Sequence, residues 1–491
     1  MGFASLVLVF VLTTYTRLYV AGSSPNLAGK RTIPAPTEIQ SLWGAYTPYF
    51  PVSLYESPPR KCEINQVNII QRHGARFPTS GATDRIHKAL KKIQSASEVN
   101  DDKLLFVKDY QYTLGVADLL PFGAYQSAES GALAYDRYRK LVSKGNLPFV
   151  RASGSDRVVD SATNWTAGFA AASSNIYQPK LSVILNENLN DTLEDAMCPN
   201  AGEPDEQVEI WTNIFAAPIA NRLNSLAPGA NLLPADIVSL MSLCAFESIA
   251  LERMSSWCGV FTGKEFGQYE YYSDVEKYYN RGYGQPLGPV QGVGYINELL
   301  ARLTGQPVQD HTQTNHTLTS SALTFPLDRS IYADFSHDNL MIAVYSAMGL
   351  FRQNSHLDPT APDLKNTWIT SKLTPFSGRL IIERLRCSGQ PSQGRTRTLA
   401  KKGEIGAQVR KETFVRVLVN DAVQPLDFCG ADKHGLCALD AFVESQAYAR
   451  HDGDGDFEKC YEGVSTLARL AIVQVGRLLR PNRDMDDVDT N

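Results

Sequence analysis

The run Val67-Asn68-Ile69-Ile70-Gln71 is apolar and rich in β-branched residues, the pattern of a buried strand. It passes directly into Arg72-His73-Gly74-Ala75-Arg76-Phe77-Pro78, a loop with one histidine between two arginines. The same order recurs twice. Phe149-Val150-Arg151-Ala152 reads as a strand that leaves through the Ser/Gly-rich Ser153-Gly154-Ser155-Asp156-Arg157. Ser330 to Phe335 reads as a strand that leaves through Ser336-His337-Asp338 into a helical pattern over 340–348. Strands alternating with helices predict an α/β fold, a mixed sheet with helices on both faces. Helical spacing predicts helices over 84–99, with Thr83 or Asp84 as cap, and over 123–141. From 165 to 320 the patterns are mostly helical, over 211–226, 235–254 and 294–304, with a tyrosine-rich stretch at 269–283. This predicts a mainly α-helical inserted domain. Strand patterns resume at 379–383 and 413–419, and a last helix is predicted over 463–479.

The first loop has the makings of a phosphate site. Guanidinium forks match phosphate oxygens bidentately and keep their charge. A histidine between them is a candidate nucleophile, namely His73. Gly74 lets the backbone approach an anion, and Pro78 stiffens the exit. His337 and Asp338 fall at a predicted helix N-terminus, which favours an anion. Asp338 there is either a proton donor to a leaving oxygen or a plain N-cap. The serine-rich loop offers backbone N–H groups, with Arg157 as a further cation and Arg151, inside the strand, as its rival.

Charge and cysteines bound the rest. The net charge is −5 with no basic block, which excludes a nucleic-acid partner. The apolar run over 3–12 and the small residues Val20-Ala21-Gly22 read as a signal peptide over 1–22. That run is shorter than the ~20 residues a membrane span needs, so no membrane association is expected after its removal. The eight cysteines are even in number and form no C-x-x-C pair, which predicts disulfides rather than zinc. Their pairing is open, with about 105 possibilities. Asn164, Asn190 and Asn315 head glycosylation sequons. Together these predict a secreted glycoprotein, extracellular or in the cell wall. Asp452-Gly-Asp454-Gly-Asp456 fails the EF-hand pattern, because Phe457 and Gly463 stand where its Gly and Glu belong. His311 and His316 make no convincing metal pair, so neither metal nor cofactor is expected. Residues 23–61 carry Trp43, Tyr46, Tyr49 and Phe50, an arm that packs on its own domain or on a neighbouring subunit of a homo-oligomer.

The heptad from Arg72 to Pro78, the His337-Asp338 pair and the cysteine placement resemble the histidine acid phosphatases. This is the branch of the histidine phosphatase superfamily that includes the fungal phytases. The resemblance implies a covalent phosphohistidine on His73 and a general acid at Asp338. Arg72, Arg76, Arg157 and His337 become phosphate ligands. The implied fold is a large α/β domain with a smaller helical one, the site lying between them. On this chain the α/β domain would take 62–164 and 321–480, the insertion 165–320, and a flexible tail 481–491. The implied disulfides are Cys62–Cys387, Cys198–Cys460, Cys244–Cys258 and Cys429–Cys437. The implied partner is a phosphomonoester such as phytate. Two lysines that follow the loop in some fungal phytases fall here on Ala82 and Arg85, with Asp84 beside them. That leans toward a broader acid phosphatase, unless Lys88, Lys91 and Lys92 compensate. A catalytically inactive cell-wall or binding protein on the same fold is the alternative from another class.

Overall fold

The computed structural model describes residues 37–189, 191–195, 197–363, 365–388 and 411–463. The signal peptide predicted over 1–22, all but the first residue of the helix predicted over 463–479, the tail predicted over 481–491 and Asn190 lie outside the described residues.

Among the described residues eight strands form one mixed sheet: β1 (Cys62–Arg72), β2 (Phe149–Ala152), β3 (Leu181–Ile184), β4 (Ile331–Ser336), β5 (Arg379–Ser388), β6 (Lys411–Val419), β7 (Ala422–Val423) and β8 (Cys437–Ala438). The order is β3-β2-β4-β1-β5-β6-β7, with β8 on β6. The half from β3 to β1 is parallel, and the half from β5 onward is antiparallel. The longer helices are α1 (Ser80–Gln94), α2 (Pro121–Tyr138), α3 (Asp156–Ala172), α4 (Asp205–Leu226), α5 (Pro234–Ala250), α6 (Gly263–Asn280), α7 (Val293–Thr304) and α8 (Asp338–Met348).

The two-residue period of β1 divides its side chains between opposite faces. Val67 and Ile69 pack with Trp165 and Phe169 of α3 and with Ala134 of α2. Ile70 joins Ile296 of α7 and Leu340 of α8 on the other face. Helices thus cover both faces, and the fold is the α/β architecture expected from the sequence. A separate helical core collects α1, α4, α5 and α6 around buried Trp43. The stretch 165–320 holds α4 to α6, but also the second half of α3, the edge strand β3, which pairs with β2, and α7, which packs on the sheet.

Helix α1 begins at Ser80, four residues before its predicted start, because Thr79 caps it and accepts from the Ala82 N–H. The apolar periodicity starts only at Ile86, so pattern reading missed the first turn.

The arm docks on its own chain. Tyr49 donates to Asp421 at 3.0 Å and Tyr55 to Glu383 at 2.8 Å. Arg379 and Arg137 lie over those two rings, each 3.8 Å from the centroid. Cys62–Cys387, Cys198–Cys460, Cys244–Cys258 and Cys429–Cys437 are bonded, the pairs the resemblance implies. The first joins directly opposed residues of β1 and β5. Among the described residues no helix is long and apolar enough to cross a membrane.

Candidate active site

The parallel half of the sheet sends the carboxyl ends of its strands to one place, where open α/β sheets present their loops to ligands. β1 and β4 are neighbours, with Arg72 opposite Ser336. The residues that follow, His73 and His337, therefore emerge side by side with ring centroids 5.6 Å apart. β2 delivers the loop to Arg157, and β3 delivers Glu187.

His73 is almost fully buried. Its backbone is pinned on both sides, its N–H donating to Ser336 O at 3.0 Å and its carbonyl accepting from Ser377 N at 3.0 Å. Nδ1 lies 2.8 Å from Gly74 O. Only a protonated Nδ1 can donate to a carbonyl, so the ring's lone pair is on Nε2. Burial holds the His73 pKa well below its ordinary value, and Arg72, Arg157, Arg76 and His337 add to the effect. The ring thus stays neutral in acid. Gly74 is forced by close packing: a Cβ there would sit 2.2 Å from the Gly123 carbonyl oxygen at the start of α2.

Arg72 has no solvent exposure. Nη1 donates to the carbonyls of Ala45 and Thr374, the latter at 2.8 Å. Nη2 lies 3.2 Å from Asp338 Oδ2, and the guanidinium carbon is 4.5 Å from the centre of the Phe376 ring. Arg76 is buried and donates to Phe77 O at 2.9 Å. Arg157, in the first turn of α3, brings Nη2 to 3.5 Å from Nδ1 of His337.

Asp338 is the first residue of α8, and the N-cap is His337. Asp338 is therefore not the cap. Its carboxylate turns to Arg72 and to Lys277, whose Nζ is 3.0 Å away. Burial acts to raise the Asp338 pKa, but Arg72 and Lys277 outweigh it and hold the group well below the usual carboxylate range.

Arg151, the rival cation, is committed elsewhere. It is buried and bonded to Asp334 at 2.8 Å and Glu298 at 2.6 Å, and Asp334 is also paired with Arg302. Arg151 and Asp334 are directly opposed on β2 and β4, so this is a structural ion network beneath the site.

Three residues of the site escaped the sequence reading. Lys277, on α6, also donates to Asn339 at 2.7 Å. Glu187 and Glu194 flank His337, with carboxylate oxygens 3.1 and 3.3 Å from Nε2. Glu187 also accepts from the Ser153 hydroxyl and from the N–H and hydroxyl of Ser155, which ties β3 to the serine-rich loop. Burial would raise the Glu187 pKa, but hydrogen bonds from His337 and Ser155 hold it below its ordinary range. Burial and the neighbouring Asp195 push Glu194 well up. Glu187, Glu194 and His337 lie close enough together to share a cation. Nε2 of His337 and the serine donors face these carboxylates.

Away from the site, Asp452 receives the backbone N–H and ring of His311, and Asp456 receives Tyr448 and Lys459. The Gly-Asp turn is thus a polar turn. Asn164 lies on α3 with its amide on Asp160 O, and Asn315 caps the short helix His316–Thr319.

The chain is similar to known proteins over most of its length. The family model described as "Histidine phosphatase superfamily (branch 2)" matches residues 63–420. "Phytase A" of Aspergillus oryzae is 39% identical over 439 residues, 85% of this chain and 90% of that protein. "Phytase A" of Emericella nidulans is 39% identical over 444 residues, covering 86% and 91%. Among solved structures, the phytase from D. castellii superposes with a TM-score of 0.67 at 21% identity, over 90% of this chain and 96% of that one. The Bifidobacterium longum multiple inositol polyphosphate phosphatase in complex with inositol hexasulfate gives 0.58 at 14% identity, over 82% and 96%. At those identities the two structures speak for the fold alone. A match over most of the chain, two arginines around a buried neutral histidine and an aspartate at the head of α8 lead to one statement: the chain belongs to branch 2 of the histidine phosphatase superfamily.

Proposed function

We propose that the protein is a secreted acid phosphatase that hydrolyses phosphomonoesters, phytate among them, through a phosphohistidine on His73. The observation that carries this is the pairing of His73 with Asp338 across Arg72 at the ends of adjacent parallel strands. Arg72, Arg76, Arg157 and His337 surround the phosphoryl oxygens and offset charge as it develops. The Nε2 lone pair of His73 attacks phosphorus, and the bond from phosphorus to the ester oxygen breaks. The leaving oxygen takes a proton from Asp338. Water then attacks the phosphohistidine, gives a proton back to the Asp338 carboxylate and releases inorganic phosphate. His73 returns to its neutral form.

Asp338 is ionised in the free site, because Arg72 and Lys277 outweigh burial. An entering phosphate monoester brings negative charge that engages Arg72 and raises the proton affinity of Asp338. Acid loads this proton donor while His73 stays unprotonated, so the pH optimum is acidic.

The names of the relatives support phytate as a substrate. Around the loop, Ala82 is buried, and Lys92 is paired with Asp236. Lys88 and Lys91 project from α1 into solvent. These observations favour a phosphatase that takes simple monoesters as well as phytate. Comparing kcat/KM for phytate and p-nitrophenyl phosphate at acid pH, with His73→Ala as control, tests the proposal. Activity on both that is lost in the variant is expected; wild-type turnover by His73→Ala would refute it.

A further inference from the structure

Two buried carboxyl groups on α6, Glu270 and Asp274, have no part in the reaction above. Both serve backbone. Glu270 accepts from Gly44 N–H through Oε2 at 2.7 Å and from Ser371 N–H through Oε1 at 2.9 Å. Asp274 accepts from Thr370 N–H at 2.6 Å, and the Ser273 hydroxyl accepts from Ala45 N–H at 3.2 Å. The two stretches held in this way end in Ala45 and Thr374, whose carbonyls receive Nη1 of Arg72.

Gly44 fits this clamp for a steric reason. Its φ is +55°, and a Cβ there would lie 2.4 Å from the Ser273 Cβ. Positions 270, 273, 274 and 277 share one helix face. The same face therefore holds the backbone behind Arg72 and presents Lys277 to Asp338. Buried carboxyl groups are costly unless hydrogen-bonded, and an apolar side chain would fill the space at lower cost. The acids are explained by the N–H groups they hold.

We propose that Glu270 is a positioning residue for phosphoryl transfer: by clamping Gly44 and Ser371 it fixes the two carbonyls that orient the Arg72 guanidinium. This rests on the reading of Arg72 as a phosphoryl ligand. It gives the N-terminal arm a role in the active site.

A double-mutant cycle tests it, with kcat/KM for p-nitrophenyl phosphate as readout. Glu270→Gln leaves one acceptor oxygen where two N–H groups converge. It should lose about tenfold by misplacing Arg72. Arg72→Lys should lose about a hundredfold. The double variant should be no worse than Arg72→Lys, within about twofold. Tyr49→Phe, which loosens the arm only at Asp421, should stay within about twofold of wild type. If Glu270→Gln does not fold, Ser273→Ala takes its place, since it removes one hydroxyl from the same clamp. Losses that multiply in the double variant, an equal loss in Tyr49→Phe, or an unimpaired Glu270 variant beside an impaired Arg72→Lys would each overturn the inference. Wild-type activity in Arg72→Lys would instead overturn the reading of Arg72 on which it rests.

Discussion

Gly74→Ala tests how rigidly the nucleophile is held. The added Cβ would lie 2.2 Å from the Gly123 carbonyl oxygen and 2.6 Å from its carbon. Ordinary contact begins at 3.4 Å, so the two backbones must part by roughly 1.2 Å. Neither moves freely. The loop is tied by Gly74 N–H to Ser161 at 3.0 Å and by Ala75 N–H to Gln126 at 3.0 Å. Leu120 N–H, just before α2, donates to Ala75 O at 2.9 Å. His73 adjoins Gly74, so it takes a share of the displacement against its own two backbone hydrogen bonds. Overpacking of this kind costs ~1–3 kcal/mol of stability. A misplacement of about 1 Å at the reacting atom costs roughly a hundredfold in rate. The assay is kcat on p-nitrophenyl phosphate at acid pH beside the thermal midpoint, with Gly123→Ala, whose Cβ would meet the Ala75 backbone, crowding the same loop from α2. A folded Gly74→Ala with kcat within about twofold of wild type would refute the reasoning.

Four further outcomes are expected. Arg157→Met should lower kcat/KM about a hundredfold with little loss of stability. Arg151→Met should instead cost ~3–5 kcal/mol in denaturant titrations, because it strands buried Asp334 and Glu298; the reverse pattern would exchange their roles. Lys277→Met removes a cation 3.0 Å from Asp338 and so raises the proton affinity of the acid. The alkaline fall of kcat should move to higher pH, and an unmoved limb would contradict Asp338 as the proton donor. Because the His73 pKa is depressed in the folded chain, the unfolded chain binds more protons below the ordinary value of 6.5, and stability drops there as the pH is lowered. His73→Gln should therefore lose less thermal stability than wild type between pH 7 and pH 5, roughly the window in which an unfolded histidine titrates.

What the sequence made legible and what it hid have physical reasons. The strand before Arg72 and the strand before His337 are mostly apolar runs buried on both faces, broken only by Asn68, Gln71 and Asp334, and each is followed at once by its reactive histidine. Local pattern was enough to find them. Lys277, Glu187 and Glu194 reach the site from segments with no motif of their own. Lys277 stands in the tyrosine-rich stretch, where it is one of two cations among the rings, the other being Arg281. Glu187 follows β3, a four-residue edge strand too short for its alternation to stand out, with Ile184 exposed. Arg151 ranked behind Arg157 only because a residue inside a strand is more often structural. The β2–β4 register separates them, because it sets Arg151 against Asp334. The arm's aromatics were legible as packing residues, but their partners, Glu383 and Asp421, lie more than 300 positions away in sequence.

The central claim is a covalent bond between phosphorus and His73, and trapping it is the most direct test. Turnover of a ³²P-labelled monoester is stopped within milliseconds in alkali, which preserves phosphohistidine, and the chain is digested and mapped. The account predicts label on the peptide that carries His73 and none in His73→Ala. Label on any other side chain, or burst turnover with no labelled peptide, would contradict it.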